Sequence, residues 1–185
     1  MVKIASTLLV LLPFVGTALT RSISLLPRDL AQVNADLKEL STKIDTLDSA
    51  LTAYPTSGNL IQALAIHNDA LAVASSLSKT TQDVTTTGPV SDNDSTNILN
   101  TVQGKVPTIK RALTTIVAKK SGFTSLPVSG VPALIKQDLG WLSGNTTALA
   151  NALITNAPPF LVANATALKK DVEAAFATAI AAYSQ

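Results

Sequence analysis

The spacing of apolar residues between positions 30 and 51 constrains the fold of this chain more than any other feature. Apolar residues follow one another at steps of three or four, at Leu30, Val33, Leu37, Leu40, Ile44, Leu47 and Leu51. This is the period of an α-helix with one buried face. No long segment shows the alternation of apolar and polar residues that is typical of a half-buried strand. The pattern therefore predicts one long amphipathic helix and favours an all-α protein.

Short breakers separate this helix from further segments with the same period. They are Tyr54–Gly58, Gly88–Pro89, the loop with Pro127, Gly130 and Pro132, and Ala157–Pro159. We expect the second helix to fade between Thr80 and Thr87. Helix caps with a partner three residues on are expected at Asp29, Asn59 and Ser91. The whole pattern predicts an antiparallel bundle of five or six amphipathic helices around one core.

Pro107 interrupts the third apolar stripe. A proline inside a helix removes one backbone hydrogen bond, here to the carbonyl of Gln103, and its ring clashes with that carbonyl. Gly104 weakens the same turn. We therefore expect the third helix to be kinked or broken near Pro107.

The N-terminus has the pattern of a secretory signal peptide. Lys3 is followed by an apolar run from Leu8 to Val15 and by small residues up to Ala18. This run is shorter than the ~20 residues of a membrane-spanning helix, and no other apolar run approaches that length. We expect a signal peptide at residues 1–18, a short segment at 19–28 and one helical domain at 29–185. The protein is then extracellular or in a cell wall, without a transmembrane segment.

Secretion gives meaning to three triplets with the pattern of N-glycosylation sites. They begin at Asn93, Asn145 and Asn164. Asn93 is the best candidate because it lies in a turn-rich stretch. The other two lie in predicted helices, and their glycosylation is left open.

Composition excludes several classes of function. The chain has no cysteine and one histidine, so it has no disulfide, no thiolate nucleophile and no multi-histidine metal site. Its formal net charge is +2, and its basic residues do not form the cluster that nucleic-acid binding would require. We predict no cofactor and no metal.

Enzymatic activity is not expected either. The sequence has no nucleophile elbow, phosphate-binding loop or dinucleotide-binding turn. His67 falls on the edge of the second apolar stripe and is interpreted as structural. Asp45 and Asp48 lie off the first stripe and are expected to be solvated. The same is expected of Asp36, Lys38 and Glu39.

Several helices carry a second apolar row beside the first. These rows contain Ile61, Ala65 and Ala72, then Leu99 and Val117, then Leu134 and Leu139. One interpretation is a wide core face, and the other is a loosely filled bundle with a tunnel between helices. A 24-residue helix spans about 36 Å, longer than an extended fatty acid. The residues expected to line such a tunnel are Leu37, Leu40, Ile44, Leu64, Leu71, Ile109, Leu113, Ile135, Leu142, Leu168, Val172 and Phe176.

Three stretches resemble a known fungal family. They are Ile44–Leu51 with the Leu71-rich second helix, Leu113–Phe123 with its Lys119-Lys120 pair, and Ala179–Tyr183. Together they are similar to the hydrophobic surface-binding protein A family, which includes the antigenic cell-wall galactomannoproteins. The resemblance covers residues from about Arg28 to Tyr183.

The resemblance implies a secreted all-α domain without catalysis. Such a domain binds a fatty acid or other lipid in its cavity, adsorbs to hydrophobic surfaces, or does both. Two alternatives stay open: a mannosylated structural component of the cell wall, and a surface-adsorbed recruiter of a secreted hydrolase that degrades polyester or lipid. No ligand residue is transferred individually, because the family has no compact binding motif to align.

Overall fold

The computed structural model of this protein describes residues 30–184. This part of the chain contains helices and no strands, which confirms the all-α class. The helices are α1 (Leu30–Ala53), α2 (Leu60–Thr87), α3 (Asp92–Ala118), α4 (Lys120–Thr124), α5 (Val131–Asn156) and α6 (Pro159–Ala182). The expected signal peptide, the segment at 19–28 and the Asp29 cap lie outside the described residues.

Two of the expected helix caps form as side-chain hydrogen bonds. The side chain of Asn59 accepts from the backbone N–H of Gln62 at 3.0 Å. Ser91 accepts from the backbone N–H of Asp94 at 3.2 Å, and its hydroxyl donates to the Asp94 carboxylate at 2.6 Å. These bonds satisfy N–H groups that the first turn of a helix leaves free. Local sequence therefore sets where α2 and α3 begin.

The five long helices form a closed ring. In order around the ring, α1 contacts α2, α2 contacts α5, α5 contacts α6, α6 contacts α3, and α3 contacts α1. Short connections make α1·α2 and α5·α6 antiparallel neighbours. The other three pairs run parallel, because their paired residues advance together along both helices. These contacts are Asp45–Lys105 and Asp48–Arg111, His67–Asp138 and Val84–Asn156, and Lys110–Asp171 and Ile116–Tyr183.

The second helix does not fade after Thr80, contrary to the expectation. It continues to Thr87, where Gly88 ends it. The hydroxyls of Thr80, Thr81, Thr85 and Thr86 donate to carbonyls four residues earlier. These bonds satisfy the hydroxyl donors within the helix, a bonding pattern that a helix tolerates at little cost.

By length and composition alone, α2 is also apolar enough to cross a membrane. This corrects the expectation that no apolar run after the N-terminal one approaches the length of a membrane-spanning helix. Its first eighteen residues include five alanines, four leucines and two isoleucines. The helix packs between α1 and α5 as part of the bundle, and it carries Asp69, Lys79 and Asp83.

The third helix is not broken at Pro107, and the kink expected there stays a prediction. It runs without interruption from Asp92 to Ala118. Pro107 is exposed, whereas Val106 beside it is buried. The Gln103 carbonyl, which loses its hydrogen bond, belongs to an exposed residue where water can hydrate it. Packing of the neighbouring residues holds the helix together across this position.

One end of the bundle is closed by the α1–α2 turn packed on α4. The rings of Tyr54 and Phe123 stack with centroids 4.0 Å apart. The Tyr54 hydroxyl donates to the carbonyl of Gly122 at 3.2 Å, and Lys119 donates to the carbonyl of Tyr54 at 2.5 Å. These contacts fix the end of the ring from which the cavity extends.

Candidate functional site

The ring of helices encloses an elongated apolar cavity. Its volume is about 170 Å³, and side chains of α1, α2, α3, α5 and α6 line it. One buried water needs only about 10–15 Å³, and empty cavities of larger size are typically apolar. The lining is made mainly of leucine, isoleucine, valine and alanine. A site of this kind suits an apolar ligand.

Small residues of α2 create much of this space. The buried row of this helix includes Ala63, Ala70 and Ser76 between larger residues such as Ile66 and Val73. Alanine fills less volume than leucine, so the facing helices do not close the centre of the ring. Small residues of other helices, Ala112 in α3, Ala150 in α5 and Ala165 in α6, line the cavity as well.

The cavity wall includes eleven of the twelve residues predicted to line a tunnel. They are Leu37, Leu40, Ile44, Leu64, Ile109, Leu113, Ile135, Leu142, Leu168, Val172 and Phe176. Leu71 was wrongly placed, since it is 37% exposed and lies outside the cavity. The α2 row that turns inward contains Ala70 and Val73 instead.

The residues of the predicted second apolar rows also differ in position: some line the cavity, and others are exposed. Leu99, Leu134 and Leu139 line the cavity. In α2, however, Ile61 and Ala65 are exposed. The wider apolar face is therefore correct for α3 and α5 and misplaced for α2.

A smaller pocket adjoins the main cavity. It has a volume of about 50 Å³ and lies towards the end of α2 near Val84 and Gly88. Leu99, Leu153 and Ala165 line both spaces. These three residues separate the two apolar spaces or join them, so the smaller pocket lies directly beside the cavity.

Polar groups on the cavity wall are few. They are Ser41, His67, Thr101, Lys105, Asp138, Thr146 and Lys169. The side chain of Lys105 donates to both oxygens of Asp45, at 2.9 and 2.7 Å. Lys169 lies 3.7 Å from Glu173. Both lysines thus have a carboxylate partner.

His67 and Asp138 form the most buried polar pair of the wall. His67 Nδ1 lies 2.8 Å from Asp138 Oδ2 across the α2–α5 contact. The other oxygen, Asp138 Oδ1, is buried and has no hydrogen-bond partner among residues 30–184. Burial raises the pKa of Asp138, and the hydrogen bond and charge of His67 oppose that rise. Asp138 lies at a helical step between Ile135 and Leu142, so its place in the apolar stripe was a signal that sequence reasoning missed.

Asp36 and Asp48 are buried, which corrects the expectation that they are solvated. Asp36 pairs with Lys79 of α2, and Asp48 pairs with Arg111 of α3. Burial of a carboxylate is tolerated when a cation and hydrogen bonds accompany it. Neither aspartate lines the cavity. Asp45, Lys38 and Glu39 are exposed, as expected.

The three glycosylation candidates all lie in helices. Asn93 is exposed at the start of α3, and Asn164 is exposed in α6. Asn145 is half-buried in α5, where its side-chain amide donates to the carbonyl of Trp141 at 2.8 Å. Asn93 is therefore not in a turn, although its side chain is accessible. Modification at these positions stays a prediction.

Comparison with protein families places this architecture. The profile of the family described as hydrophobic surface binding protein A matches residues 30–155. The chain belongs to this family. A comparison with curated protein sequences gives no match.

Solved structures of similar proteins share the fold of this hydrophobic surface binding protein A domain. A crystal structure of Afmp4p in complex with palmitic acid is 34% identical, with a TM-score of 0.78 over 84% of this chain and 99% of that one. Ligand binding domain 1 of the Penicillium marneffei MP1 protein, complexed with arachidonic acids, is 18% identical, with a TM-score of 0.76 over 85% of this chain and 100% of that one. Domain 2 of the same protein, complexed with multiple arachidonic acids, is 16% identical, with a TM-score of 0.75 over 85% of this chain and 97% of that one.

Proposed function

We propose that this protein binds a fatty acid or similar lipid between its helices, in the cavity described above. The observation that carries the proposal is an apolar space lined by all five long helices in a fold shared with a palmitic acid complex. The eleven predicted lining residues would then contact the lipid chain. Domains of the more distant MP1 protein, which hold arachidonic acids, support the same use of the fold.

Transfer energies are sufficient for tight binding. Burial of one methylene contributes roughly 0.8 kcal/mol, so a sixteen-carbon chain gains on the order of 12 kcal/mol before ordering costs. The smaller pocket near Val84 adjoins the cavity at Leu153 and would give room for the far end of a chain if the side chains between them move. An apolar ligand of this kind needs little polar anchoring.

Titration of delipidated protein with palmitic acid tests the proposal. Native mass spectrometry should show a complex of defined stoichiometry. The variant Ala70→Phe fills the cavity from a buried lining position and should abolish that complex. Its matched control, Ala65→Phe, adds the same ring at an exposed position of the same helix and should bind as the wild type does. Absence of any complex with the wild-type protein would refute lipid binding.

The protein would act outside the cell. The N-terminal eighteen residues have the pattern of a signal peptide, and family membership supports secretion to the medium or a fungal cell wall. Expression in a fungal host with the N-terminus intact should yield secreted protein whose mature N-terminus follows Ala18. Peptide mapping of the same sample would show which of Asn93, Asn145 and Asn164 carries sugar.

Adsorption to hydrophobic surfaces is a second candidate function. Large apolar side chains are exposed on the neighbouring helices α2 and α5, namely Ile61 (81%), Leu71 (37%) and Trp141 (45%). Exposed apolar area on an otherwise polar surface favours contact with apolar solids. Wild-type protein should be depleted from solution by hydrophobic beads at moderate salt. The double variant Ile61→Lys, Leu71→Lys should remain in solution, because neither residue lines the cavity and only the surface has changed.

Two further roles are outcomes of the same measurements. A structural wall component would bind neither palmitic acid nor beads and would remain with insoluble glucan. A recruiter of a secreted hydrolase would adsorb to polyester and increase the amount of hydrolase on it. The lipid-binding proposal is separable from both, because the cavity variant leaves the outer surface unchanged.

A further inference from the structure

Asp138 is the most buried ionisable group on the cavity wall. Its side chain is 8% exposed, compared with 22% for His67, 28% for Lys105 and 24% for Lys169. The two lysines therefore lie closer to solvent, and each faces a carboxylate of its own. A polar group of a ligand inside the cavity would therefore be further from water beside Asp138 than beside either lysine.

The two oxygens of this carboxylate differ in their bonding. His67 engages Oδ2 at 2.8 Å, which holds the side chain in place across the α2–α5 contact. Oδ1 is buried and has no hydrogen-bond partner within the described chain. An unsatisfied buried acceptor is costly and rare in native proteins. Of the two such oxygens in the described chain, Asp36 Oδ2 and Asp138 Oδ1, only the second belongs to a residue of the cavity wall. The neighbours one helical turn away on the same face, Ile135 and Leu142, are apolar and cannot donate to it.

We propose that Asp138 anchors the head group of the lipid by accepting a hydrogen bond from an O–H group at the end of the chain. The inference rests on the lipid-binding function proposed above and adds the chemical class of the ligand. That class is a long aliphatic chain with a terminal O–H, either a carboxylic acid or an alcohol. His67 acts as a positioning residue, because its ring nitrogen holds Oδ2 of Asp138.

Electrostatics set the protonation of the bound pair. A fully ionised fatty acid would place a second negative charge beside Asp138 in a medium of low dielectric constant. A carboxylic acid head and Asp138 therefore share one proton. An alcohol donates its hydroxyl proton to the carboxylate without this constraint. A methyl ester of the same chain has no proton to donate.

Three probes of equal chain length separate these cases: palmitic acid, 1-hexadecanol and methyl palmitate. Each is titrated into delipidated wild-type protein and into Asp138→Leu, by competition with a fluorescent fatty-acid probe at one neutral pH. The ratio of wild-type to variant affinity is calculated for each lipid, so that the solubility of each lipid in water cancels. The ratio for at least one of the two lipids with an O–H group, palmitic acid or 1-hexadecanol, should exceed that for methyl palmitate by roughly tenfold to a hundredfold, as expected for a hydrogen bond to a charged group.

Two further variants keep the test interpretable. Asp138→Asn preserves the shape of the side chain and adds an amide donor, so palmitate should gain affinity relative to 1-hexadecanol. Asp48→Asn removes a buried carboxylate that does not line the cavity. It should bind each of the three lipids with the affinity of the wild type. It controls for the general effect of losing a buried charge.

The palmitic acid and 1-hexadecanol arms identify the head group. If Asp138→Leu loses affinity for palmitic acid alone, the head group is a carboxylic acid. If it loses affinity for 1-hexadecanol alone, the head group is an alcohol. Equal ratios for all three lipids would overturn the anchor while leaving lipid binding intact. If the wild-type protein binds none of the three probes, the proposed function itself fails.

Discussion

Arg111 of α3 holds the buried carboxylate of Asp48 in α1 with three hydrogen bonds. Its Nε lies 3.1 Å from both carboxylate oxygens, and a second nitrogen lies 2.5 Å from one of them. Asp48 is 5% exposed, whereas the side chain of Arg111 is 61% exposed. The charge of the aspartate is thus inside the bundle while its partner remains hydrated. This bidentate contact fixes the register of the parallel pair α1·α3.

Removal of the arginine should destabilise the fold. Arg111→Met leaves the Asp48 carboxylate buried without its cation, which is the costly way to break such a pair. We expect the urea midpoint of unfolding to fall clearly below that of the wild type.

The neighbouring ion pair provides a control. Lys110 bonds Asp171 at 2.8 and 3.0 Å, and both side chains are about half exposed. Exposed pairs contribute about 0–1 kcal/mol, so Lys110→Met should change the midpoint little. Equal losses in both variants would show that Asp48 is not dependent on Arg111.

The pair of Asp36 and Lys79 should make stability depend on pH. Burial alone would raise the pKa of Asp36, but hydrogen bonds donated by Lys79 and Gln32 and the charge of Lys79 lower it below its ordinary value of 3.8. A lowered pKa in the folded state adds stability above pH 3.8, and this is lost as the pH falls through the folded value. Lys79→Met removes the main partner. The difference in unfolding free energy between wild type and variant should be large at neutral pH and shrink below pH 3.8.

Lys43 supplies the comparison for this measurement. It pairs with Glu39 on the exposed face of α1 at 2.7 Å. Lys43→Met should give a small difference in unfolding free energy at both pH values. A Lys79→Met difference that stays constant across pH would exclude Asp36 as its origin.

Sequence periodicity predicts most of this fold because burial follows apolar spacing in α1, α3, α5 and α6. It fails in α2, where the row with Leu64 and Leu71 is more apolar than the row with Ala63 and Ala70, yet the second row is the buried one. Contacts between helices decide which row is buried. The partners of α2 in α1 and α5 determine which face turns inward, and local spacing does not encode them.

The same reason explains the buried carboxylates. Asp36 and Asp48 become favourable only when Lys79 and Arg111 arrive from other helices, 43 and 63 residues away. Residue type alone indicates solvated positions for both. Asp138 was detectable from its helical step between Ile135 and Leu142, but its partner His67 was not.

The exposed proline of α3 should be a site for stabilisation. Pro107→Ala restores a backbone donor to the Gln103 carbonyl and replaces the poorest helix former by the best one. The gain should reach up to about 3 kcal/mol. Since Pro107 does not line the cavity, affinity for palmitic acid should be unchanged.

Gly104→Ala is the matched comparison in the same turn. An added methyl group there meets no atom within 4 Å, so the gain should be about 1 kcal/mol from helix propensity alone. Both values come from urea unfolding. A loss of stability in Pro107→Ala would show that the packing of α3 depends on the shape that the proline gives it.

Gly58 in the α1–α2 turn should be harder to replace than Gly130 before α5. Its φ is +81°, and a Cβ atom placed there would lie 2.4 Å from the carbonyl oxygen of Gly122. That oxygen already accepts hydrogen bonds from Tyr54 and Ser125, at 3.2 and 3.1 Å, so it is not free to move.

Gly130 has a similar φ of +93° but open space around it. Gly130→Ala should cost about 1–2 kcal/mol for its backbone conformation alone, whereas Gly58→Ala adds the clash and should cost about 3 kcal/mol or more. Thermal unfolding of both variants measures the difference, and equal melting temperatures would show that α4 can move away from the turn without cost.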